Sequence, residues 1–425
     1  MMMNRMKDTI AIADKRATAD YWTGRDPRGE ELWLTGPEIG AVNERIRENN
    51  GTLTDLKEFA TELPADELRE MILDAQQAFR GAARPGEHYA ADGSPIGWAD
   101  YQAAQANCAL TAIGRSGSVR YAVTAMRANL RLLPTRQFYF DDPDFLHYDD
   151  LQGTALDPME PVLVLHESRD GEFFFVRARH YTGWVARHAL AFTERSVWER
   201  YVRPKDFFVV TNNKKTFRLK GVGEFLFQMG SVLPIFGRKR NGACSVRFPV
   251  NQKGRLREAE AELSEDSSLH RGWLPCTRNN MIRQAFKFLG DSYGWGGMED
   301  SVDCSSFVGD VYRSVGVELP RDAHEQERSM PHLTELSGFS TEERYEALRR
   351  APAGALLFKR GHVLMYLGTD EADTPLAIHA VSSYFTFPGG VRKKHYIRRV
   401  LVSDLRYTGW DGTEMIDSLT RIGWL

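Results

Sequence analysis

Asp303-Cys304-Ser305-Ser306 stands at the head of a helical pattern, and two histidines follow it, His362 and His379. A cysteine, then a histidine, then a polar residue is the order of a thiol nucleophile, its base, and a group that orients the base. After Cys304 the residues Phe307, Val308, Val311, Tyr312 and Val315 fall on one helical face. Gly316 then supplies a left-handed stop. Cys304 is thereby placed in the first turn, where unpaired N–H groups and the helix dipole favour negative charge. That placement predicts a lowered thiol pKa, and the thiolate is the reactive form. A free cysteine is most often a small buried apolar residue; the flanking pattern and the ordered histidines set this one apart.

His362 opens the strand-like run Gly361-His362-Val363-Leu364-Met365-Tyr366-Leu367-Gly368, and His379 lies in the next, Leu376-Ala377-Ile378-His379-Ala380. Neighbouring strands bring two such histidines within hydrogen-bond reach. If His379 binds one ring nitrogen of His362, the other nitrogen faces the thiol. A metal site of Cys304, His362 and His379 is the rival arrangement. It lacks an evident fourth ligand and leaves the segment Tyr293-Gly-Trp295-Gly296-Gly297 unexplained.

The chain around these residues has 425 amino acids, enough for two to four separate cores. Hydrophobic residues make up 42% and charged residues 27%, as expected of a globular enzyme. A net charge of −3 gives no electrostatic case for nucleic acid as a partner. No apolar run is long enough to cross a membrane. The four cysteines, Cys108, Cys244, Cys276 and Cys304, form no Cys-x-x-Cys pair, which argues against a zinc ribbon or a disulfide scaffold.

Four regions precede or carry the site. Residues 1–110 read as a helical extension: Thr35-Gly-Pro37-Glu38 is a capping box, and Leu68, Ile72, Ala75 and Phe79 form a stripe after Pro64. Turn residues such as Arg84-Pro85-Gly86 follow. Residues 111–200 read as all-β, with strand-like runs at 121–125, 161–166, 173–176 and 183–185. Residues 201–276 form a less regular β region, with the charged stretch Arg255 to Asp266 as a helical or mobile excursion. The last region, 277–425, begins with a helix capped by Asn279 or Asn280. Arg238-Lys239-Arg240 and Arg392-Lys393-Lys394 read as solvated edge or hairpin charge.

Taken in order, Tyr293-Gly-Trp295-Gly296-Gly297, Asp303-Cys304-Ser305, Leu319-Pro320-Arg321-Asp322, Gly361-His362-Val363 and Ile378-His379-Ala380 resemble the NlpC family of bacterial cell-wall cysteine peptidases. The resemblance spans roughly 278–405 and implies a papain-like fold. It implies Cys304 as nucleophile, His362 as base and His379 as third member, with Tyr293 behind the nucleophile and Asp303 and Ser305 lining the substrate cleft. Ser306 stands where the family often has Gly, and Ala323 where it often has Ser or Thr. Arg131-Leu-Leu-Pro134-Thr135 and Tyr181-Thr-Gly183-Trp184-Val185 look like a bacterial SH3-like barrel. The implied architecture is α+β: a helical N-terminal region, two SH3-like β-barrels and a papain-like catalytic domain.

The implied activity is hydrolysis of peptidoglycan stem peptides, of the type L-Ala-γ-D-Glu-diamino acid, at the γ-D-glutamyl-diamino-acid bond. It needs no cofactor and no metal. In related layouts the first barrel selects a free N-terminal L-alanine, and here Asp149 and Tyr181 are the nearest matches to the residues that hold the amine. The alternatives are a wall-binding protein with a silent site and a thiol amidase or transpeptidase on the same fold. No 7–15-residue apolar stretch follows the start Met-Met-Met-Asn-Arg-Met-Lys-Asp. The sequence thus reads as cytoplasmic, with a cell-envelope location as the alternative if a signal has been removed.

Overall fold

The computed structural model describes residues 10–49, 52–79, 86–240 and 242–425. The expected turn at Arg84-Pro85 and the first eight residues lie outside these. Among the described residues no helix is long and apolar enough to cross a membrane. The chain divides into two compact units. One takes the described residues among Met1–Asn50 together with Leu274–Gly294 and Ser301–Leu425. The other takes those among Gly51–Trp273, plus the six-residue segment Trp295–Asp300.

The first unit contains the helices α1 (Gly36–Asn49), α2 (Arg278–Phe286), α3 (Cys304–Ser314), α4 (Ala323–Ser329) and α5 (Thr341–Arg350). Its main sheet has the strands β1 (His332–Glu335), β2 (Leu356–Lys359), β3 (His362–Thr369), β4 (Pro375–Thr386), β5 (Lys393–Asp404) and β6 (Arg421–Trp424). They lie in the order β1-β6-β2-β3-β4-β5, antiparallel throughout. Leu357, Leu364, Tyr366, Ala377 and Ile422 form a core on this sheet with Leu348 of α5. Only Arg360 and Gly361 connect β2 to β3, and Gly361 takes φ +75°, which glycine adopts without strain. α2 is capped by Thr277, whose side chain accepts from the N–H of Asn280. Asn279, one of the expected caps, is instead buried and donates to Glu30 and to the carbonyl of Thr23.

The N-terminal region divides between the units. Leu32–Leu34 pairs antiparallel with Cys276–Thr277, Asp26 bonds Arg278 at 2.7 Å, and the Asn43 amide closes on Gly316 and Glu318, each at 2.8 Å. By contrast Leu63, Leu68, Ile72, Phe79 and Tyr101 join a core with Leu163, Trp184 and Phe248 in the second unit. An apolar stripe says that a helix is covered, not by what.

The second unit is built on one sheet of twelve strands. The two β regions expected as separate domains are hydrogen-bonded together in it. Arg255–Leu263 pairs along its length with Cys244–Gln252, and at Arg255 with Phe192 of Leu190–Thr193. The stretch expected as a charged excursion is therefore a strand up to Leu263. Its exposure alternates with a change of phase at Glu258–Ala259: Arg255 and Arg257 are exposed on one face and Glu260 and Glu262 on the other, while Leu256, Ala261 and Leu263 are partly covered.

Asp149 lies inside this unit, fully buried. Its carboxylate accepts from Arg131 at 2.6 Å, Tyr139 N–H at 3.0 Å and Leu151 N–H at 3.1 Å. Within this unit the acid pairs with Arg131 and ties a loop. Tyr181 is half-buried, with its ring over Gly153, where an added Cβ would meet it at 2.5 Å. Asp149→Ala leaves Arg131 charged and unpaired in the interior. Stability should fall by about 3–5 kcal/mol, read from the denaturation midpoint. A loss below about 1 kcal/mol would be typical of a solvated pair and would contradict this role.

Candidate active site

α3 begins at Cys304 because Asp303 and Ser306 cap it reciprocally. The Asp303 carboxylate accepts from Ser306 N–H at 2.9 Å, and the Ser306 hydroxyl accepts from Asp303 N–H at 2.9 Å. A serine at 306 is thus part of the cap rather than only tolerated. Phe307, Val308, Val311 and Tyr312 are fully buried, and Gly316 at φ +91° follows the end of the helix. Cys304 itself is 7% exposed.

The backbone N–H of Val363, the residue next to His362, favours the charged form of the Cys304 thiol. On β3 and β4, His362 Nε2 and His379 Nδ1 face one another at 2.9 Å. His379 is fully buried, and its Nε2 lies 3.0 Å from the Ser403 hydroxyl on β5. Ala377 is the register partner of Ser403 and Leu401 that of His379, so the serine reaches the histidine across the diagonal. The Tyr407 ring stacks on His379 at 5.8 Å, and among the described residues its hydroxyl has no hydrogen-bond partner. For His362 to take a proton on Nδ1, its Nε2 must carry hydrogen and donate to His379. His379 then holds its own hydrogen on Nε2 and donates to Ser403. Two nitrogens that face each other across 2.9 Å do not both point at a metal, and no three side chains of ligand type converge among the described residues.

Asp303 and Ser305 are buried and held by Arg321. The guanidinium makes two bonds to the Asp303 carboxylate, at 2.6 and 3.2 Å, and one to the Ser305 hydroxyl at 2.9 Å. Gln326 donates to the carbonyls of Ser305 and Pro320, each at 2.9 Å. These two residues therefore brace the head of α3, whatever else they contact. Tyr293 is buried, with its N–H on the carbonyl of Arg398 at 2.9 Å. Ser403, Arg321 and Gln326 had no assigned role in the sequence reading. Ser403 left one signal, a lone polar residue closing the apolar run Val400-Leu401-Val402.

The electrostatics run against the expected thiolate. Burial, and then the Asp303 carboxylate, push the Cys304 thiol up to about 12. Burial, and then the Lys359 ammonium, push His362 down to about 3. His379 is held well below its ordinary value by burial and by the two neighbouring cations in prospect, His362 and Lys359. For Asp303 burial acts upward, but the Arg321 charge and hydrogen bonds outweigh it and keep the carboxylate ionised. Both shifts favour the neutral forms, a thiol at Cys304 and an imidazole at His362. Such a pair performs nucleophilic acyl transfer with the proton moving as sulfur attacks.

Residues 290–397 match the NlpC/P60 family, and residues 139–186 match the SH3 domain of SH3b1 type. The chain carries an NlpC/P60 domain. Over 155 residues it is 26% identical to the gamma-D-glutamyl-L-lysine dipeptidyl-peptidase of Bacillus subtilis (strain 168), covering 36% of this chain and 47% of that protein. The chain thus spans about half the length of that curated relative. A solved NlpC/P60 endopeptidase from Photobacterium damselae subsp. piscicida shares the fold, with TM-score 0.77 at 16% identity over 97% of each chain. The NlpC/P60 match encloses Tyr293, Cys304, His362 and His379, whereas Ser403 and Tyr407 lie beyond it.

The segment Trp295–Asp300, inside the NlpC/P60 match, packs within the second unit. Gly296 and Gly297 have φ +57° and +81°, and Cβ atoms there would lie 2.6 Å from Gln152 and 2.8 Å from Ala155. The motif's paired glycines are therefore a steric requirement.

A neutral Cys304 in the NlpC/P60 domain has a kinetic signature. Its iodoacetamide alkylation should rise about tenfold per pH unit between about pH 6 and pH 9, because the thiolate fraction climbs toward a pKa above that range. A rate already level by about pH 7 would reveal a thiolate–imidazolium pair and contradict the neutral resting state.

Proposed function

We propose that this protein is a cysteine peptidase that hydrolyses peptidoglycan stem peptides at the γ-D-glutamyl-diamino-acid bond. The observation that carries the reading is the hydrogen-bonded chain His362–His379–Ser403, on the strands that follow a cysteine placed at a helix head. The NlpC/P60 match supports the peptidase class. The bond is suggested by the relative's name, gamma-D-glutamyl-L-lysine dipeptidyl-peptidase.

In this reading Sγ attacks the amide carbon while its proton passes to His362 Nδ1. The carbon–nitrogen bond breaks, and the same proton leaves on the amine. Water then attacks the thioester, which releases the γ-carboxyl and restores the thiol. The N–H of Cys304 at the helix start is a backbone donor for the transient oxyanion. His379 holds His362 in the required tautomer, and Ser403 holds His379.

Incubation with L-Ala-γ-D-Glu-diamino acid tripeptide, followed by mass spectrometry, should give L-Ala-D-Glu plus the free diamino acid. Cys304→Ala should give no product, with folding intact. His362→Ala should lose at least about a thousandfold in kcat/KM. His379→Ala should lose less, because it orients rather than transfers the proton. Products joined to an added amine instead of water would identify a transpeptidase. Wild-type activity in His379→Ala would place the orienting role elsewhere.

A further inference from the structure

Lys359 ends β2 and His362 begins β3, and the two are register partners across the tight turn. Their side chains therefore leave the hairpin on the same face, with Cβ atoms about 5 Å apart. The lysine runs alongside the base and comes to rest by the loop after β5: a Cβ built on Gly409 would lie 3.9 Å from Nζ. The side chain is half-buried. Among the described residues it makes no hydrogen bond, and its charge is felt at Cys304, His362 and His379. Asp411 is the acid that answers it at a distance, and that carboxylate already accepts from the N–H of Thr413 at 3.1 Å.

A partly desolvated ammonium with no hydrogen bond is costly. Here it also opposes the imidazolium that His362 must become. An anion bound at Nζ removes both penalties. Which anion follows from the side of the bond: His362 delivers its proton to the leaving amine, so the leaving group lies against His362 and its strand partner. The α-carboxylate of an amino acid is two bonds from that nitrogen.

Resting on the peptidase reading above, we propose that Lys359 is a specificity-determining residue that receives the free α-carboxylate of the diamino acid on the leaving side of the scissile bond. The enzyme then selects stem peptides that end at the diamino acid over those extended or amidated there. The carboxylate also offsets the Lys359 charge beside His362, so its loss lowers kcat as well as raising KM.

The test compares the tripeptide L-Ala-γ-D-Glu-diamino acid as free acid and as α-carboxamide, with wild type, Lys359→Met, Lys359→Gln and Lys359→Arg. Circular dichroism melts check that each variant is folded. Wild type should favour the free acid by about tenfold or more in kcat/KM, as expected for a charge-assisted pair. Lys359→Met and Lys359→Gln should lose about that factor on the free acid and treat the two peptides alike. Lys359→Arg should keep most of the preference. Equal cleavage of acid and amide by wild type overturns the proposal while leaving the peptidase reading intact. So does an undiminished preference in Lys359→Met. If wild type cleaves neither peptide, the peptidase reading fails and this assignment fails with it.

Discussion

The 2.9 Å contact between His362 Nε2 and His379 Nδ1 is the interaction on which the rest of the site depends. It fixes which nitrogen of His362 is left for sulfur. It holds only because His379 is shut away from water and anchored to Ser403 from behind. The same exclusion of water that aligns the line also keeps it neutral. A proton on either histidine would sit beside its twin and within reach of Lys359. The three strands β3, β4 and β5 each supply one member, so the site is a cross-section of the antiparallel sheet. Their order and register set its geometry.

Two effects compete at Cys304, and their sizes decide between them. A helix N-terminus stabilises an anion by about 0.3–1 kcal/mol in ordinary surroundings. The rise of the thiol to about 12 corresponds to about 4 kcal/mol against the thiolate. Burial and the adjacent Asp303 carboxylate therefore prevail over the dipole. Asp303 cannot be dispensed with, since it caps α3 and pairs with Arg321 inside the protein. The fold thus accepts a like charge next to its nucleophile as the cost of a well-made helix start. A concerted proton transfer to His362 bypasses the unfavourable free thiolate.

The parts of this arrangement that are local in sequence were legible there. The apolar spacing after Cys304, the stop at Gly316 and the strand runs holding His362 and His379 all lie within a few residues of what they determine. What escaped depends on distant pairing. Ser403 meets His379 through a strand register set 24 residues away. Arg321 meets Asp303 from beyond the far end of α3. Asp149 has the composition of a loop carboxylate, and only the packing of Arg131 shows it to be interior. The charged run after Arg255 concealed a strand, because its exposure changes phase at Glu258–Ala259 and three of its five partly covered positions, Glu258, Ala259 and Ala261, are not large apolar residues. The split of the N-terminal region between two cores follows from which faces meet, which no periodicity encodes.

The site works through a neutral, singly oriented histidine line. Nitrogen-15 NMR of the imidazoles in the intact protein tests it most directly, with His362→Gln and His379→Gln to assign the signals. The account predicts that both rings stay uncharged from about pH 5 to about pH 8, with hydrogen on Nε2 of each. An imidazolium signal from His362 near neutral pH, or hydrogen on Nδ1 of His379, would contradict it.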